Sequence, residues 1–211
     1  MKALIFDLDG VIVFTDKFHY LAWKQLADEI GIYFDEEINN RLRGVSRAES
    51  LEIILERCDE TLSDEKKKDL MEQKNNRYRE LLENMNPSDV TKETRETLEE
   101  LRKRGHKLAI GSSSKNAKFI LEKVALTDLF DAISDGTNIT HSKPDPEVFV
   151  KAGIYLGESA TNCIVVEDAY AGIEAAKAAN MMAVGMGDAA GSEKADYTIG
   201  SFSELLTIAE Y

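Results

Sequence analysis

The feature that most constrains this chain lies in its first eleven residues, where Leu4-Ile5-Phe6 runs into Asp7-Leu8-Asp9-Gly10-Val11. A short apolar run of this composition reads as a buried strand, and a glycine directly behind it lets the chain turn. Side chains two apart in a strand share a face. Just past the strand end that alternation relaxes, yet Asp7 and Asp9 still converge on one small volume. Converging carboxylates repel, so the pair calls for a cation or a shared proton. Two compatible chemistries follow. The pair can ligate a hard cation such as Mg²⁺ through oxygen, or one carboxylate can be a nucleophile and the other a general acid/base. A surface turn with two solvated aspartates is the plain alternative, and the buried strand immediately before the pair argues against it.

Downstream, Tyr20, Leu21, Trp23, Leu26, Ala27 and Ile30 recur at helical spacing up to Gly31, with Thr15 or Asp16 placed to cap the helix. A short helix is expected over 35–42, broken by Gly44. The next begins at Ser46, where Ser46-x-x-Glu49 reads as a capping box and Leu51, Ile54 and Leu55 form the apolar stripe. A long charged helix follows over 63–83. From Val90 the character changes to helix 91–104, strand 107–111, helix 115–124, a strand near 130–133, helix 146–156, strand 163–166, helix 169–179, strand 183–186, a short strand at 197–199 and a terminal helix. Strands separated by helices of this length imply a parallel sheet with helices on both faces. The fold expected is therefore α/β: a Rossmann-like parallel-sheet core, 1–14 and 85–211, with a small α-helical cap domain, 15–84, inserted after the first strand.

Ligands of such sheets bind beyond the C-terminal ends of the strands. Asp7 and Asp9, Ser112, and Glu167-Asp168 all fall at such ends. Ser112-Ser113-Ser114-Lys115-Asn116 sits at a strand-to-helix turn, where hydroxyls and amides suit phosphate and equally suit ordinary capping. Lys143, between Ser142 and Pro144, is either a solvated loop charge or a cation that screens a transferring phosphoryl group beside Asp7. Glu167-Asp168 either caps a helix or completes an oxygen shell for Mg²⁺ with Asp7. Their coincidence favours the catalytic alternative each time.

Length and composition set the outer bounds. At 211 residues, 43% of them hydrophobic, the chain can bury one good-sized core and a smaller second unit. There is no long apolar run to span a membrane, and the immediate entry into a strand leaves no signal peptide to be expected. Cys58 and Cys163 lie far apart without metal-ligand spacing, which suggests reduced thiols and a cytoplasmic location. A net charge of −13 disfavours nucleic acid and anionic membranes as partners. A phosphorylated small-molecule substrate remains compatible where cations gather locally, and a monomer is expected.

Asp7-x-Asp9-Gly10, Ser112, Lys143 before Pro144 and Glu167-Asp168, in this order and at strand ends, resemble the four motifs of the haloacid dehalogenase superfamily of phosphotransferases. That resemblance implies that Asp7 is a nucleophile forming an aspartyl-phosphate and that Asp9 is the general acid/base. It places Mg²⁺ on Asp7, the Asp9 backbone carbonyl and Asp168, with Glu167 nearby, and phosphoryl oxygens on Ser112 and Lys143. Within the superfamily, Phe6–Ile12, Thr15 with His19, Ala22-Trp23-Lys24, Gly44-Val45-Ser46-Arg47 with Ser50-Leu51, Lys74-Asn75, Ser114-Lys115-Asn116 and Ser142-Lys143-Pro144 resemble the β-phosphoglucomutase family. The implied substrate-binding set is His19, Trp23, Arg43, Gly44, Val45, Ser46, Arg47, Lys74, Ser114, Lys115 and Asn116. Arg47 with Ser114, Lys115 and Asn116 would grip the non-transferring phosphate. His19 and Lys74 would contact the sugar ring or its reacting hydroxyl, and Thr15 would lie at the cap hinge and position Asp9. Read without that family, Arg47 is a solvated helix charge, His19 a helix-surface residue, Lys74 a solvated lysine and Thr15 a cap.

Three positions depart from the family pattern: Phe14 replaces an acidic residue before Thr15, Arg43 replaces a lysine, and Thr91-Lys92-Glu93 replaces a Tyr-Pro-Gly-like second hinge. None removes a catalytic group. The activity implied is Mg²⁺-dependent interconversion of β-glucose 1-phosphate and glucose 6-phosphate through β-glucose 1,6-bisphosphate, with cap closure excluding water. A sugar-phosphate phosphatase on the same scaffold is the main rival. A noncatalytic sugar-phosphate-binding protein is a second, and it leaves the Asp7/Asp9 pair unexplained.

Overall fold

The computed structural model describes residues 2–42, 45–58 and 61–210. They form two compact units: Met1–Phe14 with Met85–Tyr211, and Thr15–Asn84.

In the first unit a six-stranded sheet runs in the order β3-β2-β1-β4-β5-β6. Its strands are β1 (Ala3–Phe6), β2 (Lys107–Gly111), β3 (Ala132–Ser134), β4 (Cys163–Glu167), β5 (Met182–Gly185) and β6 (Tyr197–Thr198), and every pairing is parallel. A central parallel strand is covered on both faces and reads as a continuous apolar run; Ala3-Leu4-Ile5-Phe6 is buried throughout. Ile5 pairs with Ala109 and Val165 and packs in a cluster with Val148, Phe149 and Ile173. Phe6 points to the opposite face, where its ring stacks on Phe202 at 5.8 Å and meets Phe130 edge-on at 6.2 Å. Burying each such side chain contributes about 1.5–3 kcal/mol, which fixes β1 and with it the place where Asp7 emerges. The helices of this unit are α5 (Lys92–Lys103), α6 (Ala117–Lys123), α7 (Glu147–Leu156), α8 (Tyr170–Ala178) and α9 (Leu205–Ile208).

The second unit holds α1 (Asp16–Glu29), α2 (Glu36–Asn40), α3 (Arg47–Leu55) and α4 (Asp64–Leu82), with no strand among its described residues. Trp23, Leu26, Phe34, Leu51, Ile54 and Leu70 form its core. The capping box at Ser46 is formed in full, and Ser63 caps α4.

Four local expectations change. The Thr15 side chain makes no cap bond to α1: its φ of −96° and ψ of 1° lie outside the extended region from which a cap reaches the first free amides. Helix α6 begins at 117 rather than 115. The Ser112 hydroxyl accepts from the Ser114 amide at 3.1 Å and the Ser114 hydroxyl from the Asn116 amide at 3.2 Å, which draws the backbone into tight turns first. Strand β3 is shifted to 132–134, and β6 shrinks to two residues. Thr91-Lys92-Glu93 opens α5: the Thr91 hydroxyl accepts from the Thr94 amide at 3.1 Å, and the Glu93 carboxylate accepts from Ser201 and Ser203.

Candidate active site

The α/β unit brings four charged groups to the ends of β1 and β4. The Asp7 amide donates to the Val166 carbonyl at 2.9 Å, which extends the β1–β4 ladder by one bond and carries the Asp7 side chain to the strand end. The chain then folds back: Ile12 and Val13 amides both donate to the Leu8 carbonyl at 3.0 Å, and Gly10 to Val13 at 2.7 Å. Gly10 has a φ of +94°, and a Cβ there would lie 2.0 Å from Asp168 Oδ2. Glycine at this turn is therefore required twice, by backbone conformation and by the close approach of the Asp168 carboxylate.

Lys143 lies on the segment between β3 and α7 and is 6% exposed. Its Nζ donates to Asp7 Oδ1 at 2.5 Å and to Glu167 Oε1, and sits 4.8 Å from the centre of the Phe149 ring. The other Glu167 oxygen accepts from the Ala169 amide at 3.0 Å. The loop carrying Lys143 is tied down by Glu147, whose carboxylate takes the Thr140 and His141 amides at 2.8 and 2.7 Å. Glu147, His141 and Asp145 form a second group with ligand-type atoms close together. Glu147 is committed there to those amides and to Lys151 at 2.6 Å, which accounts for its carboxyl lying down at about 2.

Burial disfavours the Lys143 ammonium, but the facing Asp7 and Glu167 carboxylates outweigh it and hold its pKa above the ordinary lysine value. The lysine is therefore charged near neutrality. Glu167 is pushed up to about 7, by burial first and then by Asp7, against the pull of Lys143. Asp168 is pushed up to about 8 by burial and by Asp7, Glu167 and Asp9. Asp7, Glu167 and Asp168 each place an oxygen within 4.8 Å of the others. Three carboxylates against one ammonium leave excess negative charge in a buried space, which suits a hard divalent cation. The Asp9 carboxylate is not in that group; it lies half-exposed on the turn, close enough to raise the Asp168 pKa.

Ser112 is buried directly after β2, the strand that pairs with β1, its amide bonded to the Ser134 carbonyl at 3.1 Å. The Ser112–Asn116 turn is partly self-satisfied, as the capping alternative requires, while the buried Ser113 hydroxyl has no hydrogen-bond partner among the described residues. Lys115 is exposed and Asn116 buried at the N-cap of α6.

The helical unit assembles a second group. The Lys74 Nζ lies 2.8 Å from His19 Nδ1. An ammonium only donates, so Nδ1 is the acceptor and His19 carries its proton on Nε2. Burial, then Lys74 and Arg47, hold the His19 pKa well below its ordinary value, so the ring is neutral. Lys74 is 2% exposed and lies 4.9 and 4.7 Å from the Trp23 and Tyr78 ring centres, and His19 stacks on Tyr78 at 4.1 Å. Trp23 thus sits in the core of this unit as a platform beneath Lys74. Arg47 Nη2 donates to Asn75 Oδ1 at 2.7 Å, and burial lowers its pKa. Val45 and Ser46 are half-buried, and Ser46 is spent on its capping box. Thr15 is fully buried, its carbonyl accepting from Phe18 and His19. Arg43 and Gly44 lie outside the described residues. Tyr78, Asn75, Phe149 and Glu147 were not singled out from the sequence for these contacts. Tyr78 stands four residues after Lys74, one helical turn on, and that spacing was readable.

The model of the haloacid dehalogenase-like hydrolases matches residues 1–180. The chain is 42% identical over 207 residues to a β-phosphoglucomutase of Bacillus subtilis, covering 97% of this chain and 92% of the relative. It is 32% identical to a phosphorylated carbohydrates phosphatase of Thermotoga maritima, covering 86% and 82% of the two chains. A crystal structure of β-phosphoglucomutase from Clostridium difficile superposes with a TM-score of 0.93 at 38% identity, covering 100% of this chain and 96% of that one. With its carboxylates at the ends of parallel strands and a loop lysine reaching in to them, the chain belongs to the haloacid dehalogenase-like hydrolases, in the β-phosphoglucomutase family.

Proposed function

We propose that this protein is a Mg²⁺-dependent phosphomutase interconverting β-D-glucose 1-phosphate and glucose 6-phosphate through an aspartyl-phosphate and β-glucose 1,6-bisphosphate. The observation that carries this is the Asp7–Lys143–Glu167 arrangement with Asp168 beside it, on adjacent strand ends. The relatedness to two β-phosphoglucomutases supports it.

In this reading an Asp7 carboxylate oxygen attacks phosphorus, the ester P–O bond breaks, and Asp9 gives the leaving sugar oxygen its proton. In the return step Asp9 takes the proton of the accepting hydroxyl as the phosphoryl group leaves Asp7. Lys143, charged and fixed by Glu167, keeps Asp7 oriented and balances charge on the phosphoryl oxygens, with Ser112 as a further donor. Asp7 and Asp168, with the Asp9 carbonyl, would hold Mg²⁺, which supplies positive charge to the phosphoryl oxygens when bound. Glu167 stays nearby, committed to Lys143 and Ala169. Each unit offers its own group for a second phosphate: Arg47 in the helical unit, and Ser114, Lys115 and Asn116 in the α/β unit. His19 presents Nε2–H, and Lys74 a charge, to sugar hydroxyls; Thr15, Trp23, Val45 and Ser46 support them. Arg43 and Gly44 complete the proposed set.

A sugar-phosphate phosphatase is the second reading, favoured by the relatedness to a carbohydrate phosphatase. Purified protein with Mg²⁺, β-glucose 1-phosphate and a trace of the bisphosphate separates the two. Glucose 6-phosphate formed without matching phosphate release is the result expected. Phosphate release alone makes the protein a phosphatase.

A further inference from the structure

Helix α8 is built largely of alanine: Ala171, Ala175, Ala176 and Ala178 are four of its nine residues. One buried position in its first turn is Gly172 instead. Glycine inside a helix is less favourable than alanine, so propensity alone makes this the wrong residue. The surroundings supply the reason. A Cβ at 172 would lie 1.9 Å from Glu167 Cδ, 2.0 Å from Oε1 and 2.4 Å from Oε2. Of these, Oε1 accepts from the Lys143 ammonium and Oε2 from the Ala169 amide. Glu167 has no free direction in which to yield, because it is 1% exposed and both its oxygens are engaged.

We propose that Gly172 is a positioning residue: the space left by its missing Cβ is where the Glu167 carboxylate lies against α8 and holds Lys143 toward Asp7. The functional half of this rests on the reading that Lys143 serves Asp7 in phosphoryl transfer. Gly172 touches no substrate. It acts through two side chains, and a carboxylate moved by about 1 Å carries the lysine with it; misplacements of that size cost about 100-fold in rate.

The test is a cycle of four proteins, parent, Gly172→Ala, Glu167→Asp and the double variant, with Gly153→Ala as control. Gly153 is also in a helix, but its Cβ would meet nothing closer than the end of the flexible Met181 side chain, at 3.2 Å, with Cys163 Sγ and the Glu158 carbonyl at ordinary contact distances of 3.6 and 3.7 Å. Thermal melts need no substrate. Propensity predicts a raised midpoint for Gly172→Ala, as for Gly153→Ala; the clash predicts a lowered one. Shortening residue 167 by one methylene withdraws its carboxylate, so Gly172→Ala should cost much less in the Glu167→Asp background. In turnover, Gly172→Ala should lower kcat about 100-fold while KM stays within about threefold, the split expected of a group acting on the chemical step. A midpoint that rises in Gly172→Ala, equal losses in both backgrounds, or kcat within about twofold of the parent would overturn the proposal. If Gly172→Ala does not fold, a folded double variant supports it and an unfolded one overturns it. A parent without mutase turnover defeats the proposed function, and the melts still decide whether Gly172 sets the place of Glu167.

Discussion

Each unit of this protein buries a lysine, and the two do it by opposite means. In the α/β unit Lys143 is fastened by charge, to Asp7 and Glu167, with a third carboxylate on Asp168. In the helical unit Lys74 is fastened by a neutral histidine and the faces of Trp23 and Tyr78. Opposite charges at contact cancel, whereas aromatic faces attract a cation without neutralising it. The first arrangement stores an organised excess of negative charge that suits a metal and a nucleophile. The second sets an ammonium against a neutral ring nitrogen and two aromatic faces, an environment that suits an anionic or hydroxyl-rich ligand.

The largest expected effect breaks the first half of that comparison. Lys143→Met leaves Asp7 and Glu167 buried without their cation, which should cost about 3–5 kcal/mol of stability and about 10³-fold in kcat. Chemical denaturation and steady-state kinetics check both. Lys74→Met, of similar volume, should shift the thermal midpoint by only about 2–4 °C, corresponding to about 1 kcal/mol, while raising KM. Equal destabilisation by the two variants would abolish the distinction. Arg47→Ala sharpens the second half: mutase turnover should fall about tenfold more than phosphate release, the size of one charge-assisted contact. Equal losses in parallel product assays would remove Arg47 from a second phosphate site.

Mg²⁺ affinity follows from the raised Asp168 carboxyl. Below about 8 a proton occupies it and competes with the cation, so affinity should rise as pH climbs toward about 8 and level off above. Calorimetric titration between pH 6 and 9 reads this directly, and a pH-independent affinity would exclude Asp168 as a ligand. The smallest effect concerns Glu147, whose carboxyl is lowered to about 2 by Lys151 and by the His141 and Thr140 amides. A depressed carboxyl stabilises above its unfolded pKa and loses that contribution as pH falls through the folded one. The Lys143 loop should therefore loosen between about 4.5 and about 2, and Glu147→Gln should flatten that part of the stability profile.

The α/β unit was the more legible of the two in the sequence. Strands β1, β2 and β4 are largely apolar runs whose ends lead into Asp7, Ser112 and Glu167-Asp168, because strand ends and loop lengths are local properties. The ion pairs of Lys143 were open to either alternative, since its partners stand 136 and 24 residues away. Gly172 gave no signal, because a glycine among alanines is explained only by the carboxylate packed against it. In the helical unit the apolar stripes were clear, but Trp23 belongs to both stripe and site: one face packs the core and Lys74 rests on its ring. The side-chain capping expected of Thr15 failed because a single residue's φ and ψ are set by the chain on both sides of it. That conformation is not encoded in the identity of the capping residue.

The central claim is that Asp7 carries the phosphoryl group. The most direct measurement incubates the protein with Mg²⁺ and β-glucose 1,6-bisphosphate labelled in its phosphates, quenches within one turnover, and maps the label by peptide sequencing. Label on the segment containing Asp7, absent in Asp7→Asn and chased into glucose bisphosphate by added β-glucose 1-phosphate, is the result predicted. Turnover with label on another residue, or with no covalent label at all, would contradict it.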